Sequence, residues 1–434
     1  MTSKTSHSGF SLHIGLLAAV LLTTGAGAQS SKLPALKDAY KGHFDVGVAI
    51  NRSIVTGEAP GYGNRTVGQV TKDVALTKQQ FNQISPENDL KWESIHPREG
   101  ADGYNFGPAD AYVEFGQKNH MFIVGHTLVW HGQTPNWVFS GTAPAPGAAG
   151  AVTTAPGGAA NALAPVPPAN GPGGNPGGPR RGFGRRAGFS GPRATREELL
   201  QRMHDHIRTV MGRYKGQIQV WDVVNECVSD GGPDILRNSL WRQIIGPDFI
   251  AKAFEYAHGA DPKAILRLND YSLENPQKRQ KFILLVKQLQ AERVPISAIG
   301  TQTHVSVSSP TFEEEDRELT DLETLGLPIH VTELDVNSAQ AGQGGTGADV
   351  ANNAATTQGG LVAAADQRLS DQYVNLFKLF LKHKQVKVVT LWGVNDGVSW
   401  RANGKPLLFD TNDQPKPAFD AVIQAAKGSA PKSK

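Results

Sequence analysis

The sequence predicts an α/β protein built as a single (β/α)8 barrel. Three observations carry this. Eight short apolar runs are separated by gaps of which most hold a helical pattern, the polar residues of those runs collect at their C-terminal ends, and no GxGxxG follows any run. Strands alternating with helices make parallel βα units, and eight such units can close on themselves. An open doubly wound sheet is the structural alternative, and its phosphate-binding glycine signature is missing.

The runs in order are HFDVGVAI (43–50), FNQISPEN (81–88), MFIVGHTLVW (121–130), QVWDVVNE (219–226), AILRLNDY (264–271), ISAIGTQTH (296–304), PIHVTELD (328–335) and KVVTLWGV (387–394). Each is the length of a strand and rich in β-branched or aromatic residues. The clearest helix lies between the third and fourth, TREELLQRMHDHIRTVMGRYKG. Thr195 and Glu198 form a capping box, Leu199, Met203, Ile207 and Val210 share a face, and Gly216 stops it.

Three segments fall outside this pattern. Residues 1–28 read as a secretory signal, with Lys4 in a basic n-region, an apolar stretch from Leu12 to Leu22 and Ala26-Gly27-Ala28 as cleavage site. The stretch is shorter than the ~20 residues that span a bilayer. The mature chain, 29–434, is therefore expected to be secreted, to the periplasm or the medium, with no membrane contact once the signal is removed. Residues 141–193 and 337–365 are Gly-, Ala- and Pro- or Asn-rich and read as loop insertions on the face that carries the polar tips. Taking these three away leaves a suitable length for one barrel.

The formal charge is +3, from 43 basic and 40 acidic residues. Five arginines (Arg180, Arg181, Arg185, Arg186, Arg193) lie in the acid-free stretch 141–193, so the rest of the chain is near neutral. Nothing there argues for nucleic acid as a partner. The arginine-rich stretch reads as a solvated linker, with polyanion binding as its functional alternative. Cys227 is the only cysteine, which excludes an intrachain disulfide. As neighbours on a strand point to opposite faces, it is expected to pack behind Glu226 rather than act as a nucleophile.

The polar tips are Glu87 and Asn88, His126, Asn225 and Glu226, Asn269 and Asp270, Gln302 and His304, and Glu333 and Asp335. In a barrel they meet on the C-terminal face, where such folds keep their active sites. Glu226 and Glu333 face each other across that mouth. Paired carboxylates in a cleft suit glycoside hydrolysis, one donating a proton to the leaving oxygen and the other attacking carbon or activating water. His304 is placed to hold one of them ionised. Trp130, Trp137, Trp392 and Trp400 flank the tips and offer faces on which a sugar ring can stack.

Other chemistries find no support. His126 with His131, and His204 with His206, form no metal-ligand set such as HExxH, and His204 and His206 are expected on the surface of their helix. No GxSxG elbow occurs. Neither metal nor cofactor is expected.

The segments ENDLKWESIHPREGADGYNF (87–106), GHTLVWHGQTPNWVF (125–139), WDVVNE (221–226), NDYS (269–272), TQTH (301–304), HVTELDV (330–336) and LWGVNDGVSW (391–400) occur in this order. With them the chain resembles glycoside hydrolase family 10, the endo-1,4-β-xylanases, from about residue 35 to 425. The resemblance implies a retaining enzyme acting on xylan and xylo-oligosaccharides, with Glu226 as general acid/base and Glu333 as nucleophile. It further implies that Asn225 bonds the sugar 2-hydroxyl and that His304 orients Glu333 with Gln302 beside it. Glu87, Asn88, Lys91, His126, Trp130 and Gln133 would bind sugar on the non-reducing side of the cut. Trp392 and Trp400 would wall the site against a hexose hydroxymethyl, and Tyr271 would lie toward the leaving group. Ser272 departs from the asparagine common in the family. A β-glucanase or mannanase on a similar barrel and an inactive carbohydrate-binding protein are the rival readings. The protein is expected to be a monomer.

Overall fold

Ten strands form in the computed structural model, which describes residues 1–2, 33–59, 65–141, 192–338 and 360–428. They are β1 (Asp45–Ile50), β2 (Gln83–Pro86), β3 (Phe122–Gly125), β4 (Val129–Trp130), β5 (Val220–Asn225), β6 (Ile265–Asp270), β7 (Ala298–Thr301), β8 (His304–Ser306), β9 (Ile329–Asn337) and β10 (Val386–Leu391). Eight of them pair side by side in the order β10-β1-β2-β3-β5-β6-β7-β9, and β9 pairs back onto β10. The sheet is closed, which rules out the open doubly wound alternative. The two short strands are continuations at the C-terminal rim. There β4 sets Trp130 beside Asn225 on β5, and β8 sets His304 beside Asp335 on β9.

Strands covered on both faces read as nearly continuous apolar runs, and all nine residues of β9 are buried. The barrel interior is nonetheless partly polar. Gln83 is fully buried against Gly47, where an added Cβ would fall 1.3 Å from its Oε1. Gly125 likewise leaves room for the Trp221 ring, 2.2 Å from the position of a Cβ. Deeper in, Arg267 donates to both carboxylate oxygens of Asp222 at 2.6 and 2.8 Å and contacts His330 Nδ1 at 3.0 Å. That pairing holds the Asp222 carboxyl below the usual range although burial alone would raise it.

The capped helix spans Arg196–Arg213, with the Thr195–Glu198 capping box in place and Gly216 in the left-handed region at φ 72°. Two more capping boxes, Thr66–Gln69 and Thr311–Glu314, start helices that no sequence motif had singled out. One expectation for the helix Arg196–Arg213 is corrected. His204 is half-buried, but His206 is 1% exposed. It lies three and four residues from Met203 and Val210, hence on the inward face, and stacks on Trp92 at 3.6 Å between ring centroids.

The two expected insertions lie largely outside the described residues, as does all but the first two residues of the expected signal. The ends of the first insertion meet: Ser140 bridges Arg193, and Gly141 N–H donates to Pro192 O at 2.7 Å. Within the bounds 337–365 of the second, residues 337–338 and 360–365 are described. Asn337 still belongs to β9, and a helix begins at Gly360 and runs to Lys382. Among the described residues no helix is long and apolar enough to cross a membrane.

Candidate active site

Glu226 follows the last residue of β5 with φ 56°, a conformation that non-glycine residues adopt at a cost and that gathers at functional sites. Its own N–H donates to Asn269 O at 2.8 Å, which fixes the turn. Its carboxylate is held at both ends. Oε2 accepts the Trp130 indole N–H at 2.8 Å, and Oε1 accepts from Gln302 Nε2 at 3.0 Å. His131 stands 3.9 Å from Oε2. Burial first, then the charge of Arg237, brings its imidazole down to about 3, so it is neutral beside the carboxylate.

Glu333 lies on β9, where Glu333 and Asp335 point the same way because they are two residues apart. His304, fixed beside them by the β8–β9 pairing, reaches both. Its Nε2 is 3.1 Å from Glu333 Oε2. Its Nδ1 is 3.1 Å from Asp335 Oδ2, within charge attraction but off the line of a hydrogen bond. Burial would lower the His304 pKa, but Asp335, and then the Glu333 hydrogen bond, overcome it and push it up to about 9. Asp335 is anchored in turn by Arg401 at 2.9 Å and by the Trp400 indole N–H at 2.8 Å.

The two glutamates are joined by an unbroken amide chain. Asn269 Nδ2 lies 3.0 Å from Glu333 Oε1 and 2.9 Å from Asn225 Oδ1. That same oxygen is 3.4 Å from Gln302 Nε2, the group that donates to Glu226. Gln302, expected beside His304 and Glu333, therefore turns its side chain to Glu226, while its backbone carbonyl accepts the Glu333 N–H at 3.0 Å.

The residues expected on one side of the cut form a second group. Lys91 donates to Asn88 at 3.2 Å and to Gln133 at 2.9 Å, and its ammonium sits 5.0 Å from the Trp130 ring. Burial lowers its pKa against the pull of Glu333, Glu87 and Glu226. Glu87 and Asn88 are half-buried at the end of β2, and Gln133 has φ 38°. His126 bonds Asp222 at 2.9 Å and meets Trp392 edge-on at 5.5 Å. Trp392 and Trp400 both lie against His304, at 6.3 and 5.1 Å. Opposite, the Tyr271 hydroxyl donates to Asp230 and accepts from Arg237, each at 2.7 Å, with Lys278 3.3 Å above its ring.

Trp137 does not join this group. Its ring packs near His96, Trp92 and Arg202 instead. Cys227 is buried, and burial pushes its thiol up, which keeps it an unreactive thiol. Three residues given no role from the sequence complete the geometry, namely Asp335, Asn269 and Arg401. Asp335 and Asn269 had a signal, since both sit at strand tips. Arg401 lies in a loop after β10 and had none.

A family model described as glycosyl hydrolase family 10 matches residues 35–153 and 188–425. The chain belongs to glycosyl hydrolase family 10. It is similar to other proteins of this kind across most of its length. It is 33% identical over 430 residues to a beta-1,4-xylanase of Dictyoglomus thermophilum, covering 96% of this chain and 98% of that one. It is 36% identical over 393 residues to endo-1,4-beta-xylanase A of Caldicellulosiruptor sp. (strain Rt8B.4), 90% of this chain but only 47% of that longer protein. Among solved structures, a GH10 endoxylanase retrieved from sugarcane soil metagenome superposes with a TM-score of 0.72 at 34% identity, covering 91% of this chain and all of that one. An intracellular xylanase from Thermoanaerobacterium saccharolyticum gives 0.67 at 35% identity, covering 90% and 99%. The closed barrel is the fold these family structures share with this chain.

Proposed function

We infer that this protein is an endo-1,4-β-xylanase that hydrolyses internal β-1,4-xylosidic bonds of xylan with retention of anomeric configuration. The observation that carries this is the pair of rim carboxylates, Glu226 and Glu333, joined through Asn269, Asn225 and Gln302 and held in unlike surroundings. Glu333 is 5% exposed and is held by His304 at 3.1 Å and by Asn269 at 3.0 Å, which fixes the carboxylate in place for attack. Glu226 is more open and has only neutral donors bonded to its oxygens, which suits a group that must take and give a proton.

The reaction then runs in two displacements. Glu333 attacks the anomeric carbon as the glycosidic C–O bond breaks and Glu226 passes its proton to the leaving oxygen. A water, deprotonated by Glu226, next attacks the same carbon and frees Glu333. Asn225 is the residue placed to bond the 2-hydroxyl, a contact that strengthens toward the transition state. Lys91, Asn88, Gln133, Glu87, His126 and Trp130 form the sugar-binding side, and Tyr271 lies on the leaving side. We take Trp392 and Trp400, which lie against His304, as the wall that favours a pentose over a hexose, in line with the xylanases this chain is similar to. Hydrolysis rates on xylan, cellulose and mannan test this: xylan should dominate, and equal or greater release from cellulose or mannan would overturn it.

We further propose that the chain is exported, on the strength of the Leu12–Leu22 run and Ala26-Gly27-Ala28, and acts as a monomer. An N-terminal sequence of the mature protein beginning near residue 29 would support export. Light scattering would test the monomer.

A further inference from the structure

Below the tip of β7 two glutamates are shut away from water. Glu315 and Glu318 lie one turn apart on the helix Phe312–Glu323, and each is 1% exposed. Glu318 Oε1 accepts the Thr301 hydroxyl at 2.7 Å. Glu315 Oε1 is enclosed with no hydrogen-bond partner. Half-buried Glu274, in the loop after β6, is a third carboxyl close by, and burial raises its pKa too.

The neighbouring cations are engaged elsewhere. Arg279 Nε donates to Asp321 at 2.8 Å, and its Nη1 to the carbonyls of Leu273 and Glu274 at 3.0 Å. Lys278 is held by Asp230 and Asp270 at 2.7 and 2.9 Å. His304, which also faces Glu274, is committed to Glu333 and Asp335. From the helix Gly360–Lys382 and its end, Lys382 and His383 bond Asp316, and His383 reaches Glu323. No group of acidic, histidine or cysteine side chains among the described residues is arranged to hold a metal ion.

Two buried carboxylates with no cation bonded to either are costly, and retaining a proton is the chemical remedy. We propose that Glu315 and Glu318 hold at least one proton between them at neutral pH, a carboxyl lock that keeps two unbonded buried charges from forming beside the end of β7 and loosens as pH rises. Burial, with Glu274 adding to it, pushes Glu318 up to about 8 against the Thr301 hydrogen bond and Arg279, and burial pushes Glu315 well above the usual range. A raised folded-state value means stability that is complete below the ordinary 4.5 and is lost as pH rises through about 8. The lock touches the active site through Thr301. That residue precedes Gln302, and its carbonyl accepts from Thr332 on β9 at 3.2 Å. Glu318 is thus a positioning residue.

The test is thermal melting of the full chain, E315Q and E318Q from about pH 5 to pH 9. Glutamine copies the neutral carboxyl. The variants should melt with the parent near pH 5 and about 2–4 °C above it near pH 9. Curves offset equally at every pH would overturn the lock. Should a variant not fold, infrared spectroscopy of the parent decides: a protonated-carboxyl band present at neutral pH and lost on alkaline titration supports the proposal, and its absence at neutral pH overturns it. In E318Q the alkaline limb of xylan hydrolysis should move upward. The melting and infrared results do not depend on the xylanase assignment, so a failure of one is distinguishable from a failure of the other.

Discussion

His304 Nε2 stands 3.1 Å from Glu333 Oε2, while its Nδ1 stands equally far from Asp335 Oδ2. One imidazolium between two carboxylates fixes the position of the first. Because the His304 pKa is raised to about 9, its stabilising contribution is complete below the ordinary 6.5 and is lost as pH rises through about 9. His304→Asn should lower kcat on xylan by on the order of 10²-fold. It should also flatten the decline in melting temperature between about pH 7 and pH 9. Steady-state kinetics and a pH series of melts check both.

Glu226 offers a different handle. Glu226→Gln removes the acid and keeps the size of the side chain, but retains only one of the two acceptor oxygens that Trp130 and Gln302 bond. Hydrolysis of xylan should fall by about 10²–10⁴-fold. Cleavage of an aryl xyloside with a good leaving group should fall far less in its first step. Pre-steady-state release of the phenol measures this, and equal loss on both substrates would remove Glu226 from the acid role.

Below the site, Asp222 serves three partners at once, Arg267, His126 and, through Arg267, His330. Removing Arg267 leaves the buried Asp222 carboxylate with His126 as its remaining side-chain partner. Arg267→Met should therefore cost about 3–5 kcal/mol of stability, read by urea unfolding.

Specificity should respond at the tryptophans. Trp392→Ala opens space next to His126 and His304. The preference for xylo- over cello-oligosaccharides should shrink by about 10-fold or more. Comparing kcat/KM on the two substrate series tests this. An unchanged ratio would mean that the wall lies elsewhere.

Much of this was legible in the sequence, for identifiable reasons. Each strand is an apolar run ending in polar residues, so β5 and β9 announce both their place and their cargo, Glu226 and Glu333. Capping chemistry fixed the start of the helix at Thr195. What was not legible depends on angles and partners. His206 reads as polar, but its inward position follows from helical phase relative to Met203 and Val210. Gln302 and Trp137 are polar or aromatic at the right place in the chain, yet rotamer and local turn decide which way each faces. The helix that begins at Gly360 has no legible start, because alanines such as Ala363–Ala365 after a glycine pair suit a loop as well as a helix. Arg401 could not be foreseen, since its link to Asp335 joins a loop to a strand tip with no local pattern.

The most direct measurement is the configuration of the first product. Proton NMR during early hydrolysis of a xylo-oligosaccharide should show the β-anomer of the new reducing end appearing first, with the α-anomer growing in only by mutarotation. If the α-anomer appears first, a single displacement by water is at work and Glu333 is not the nucleophile.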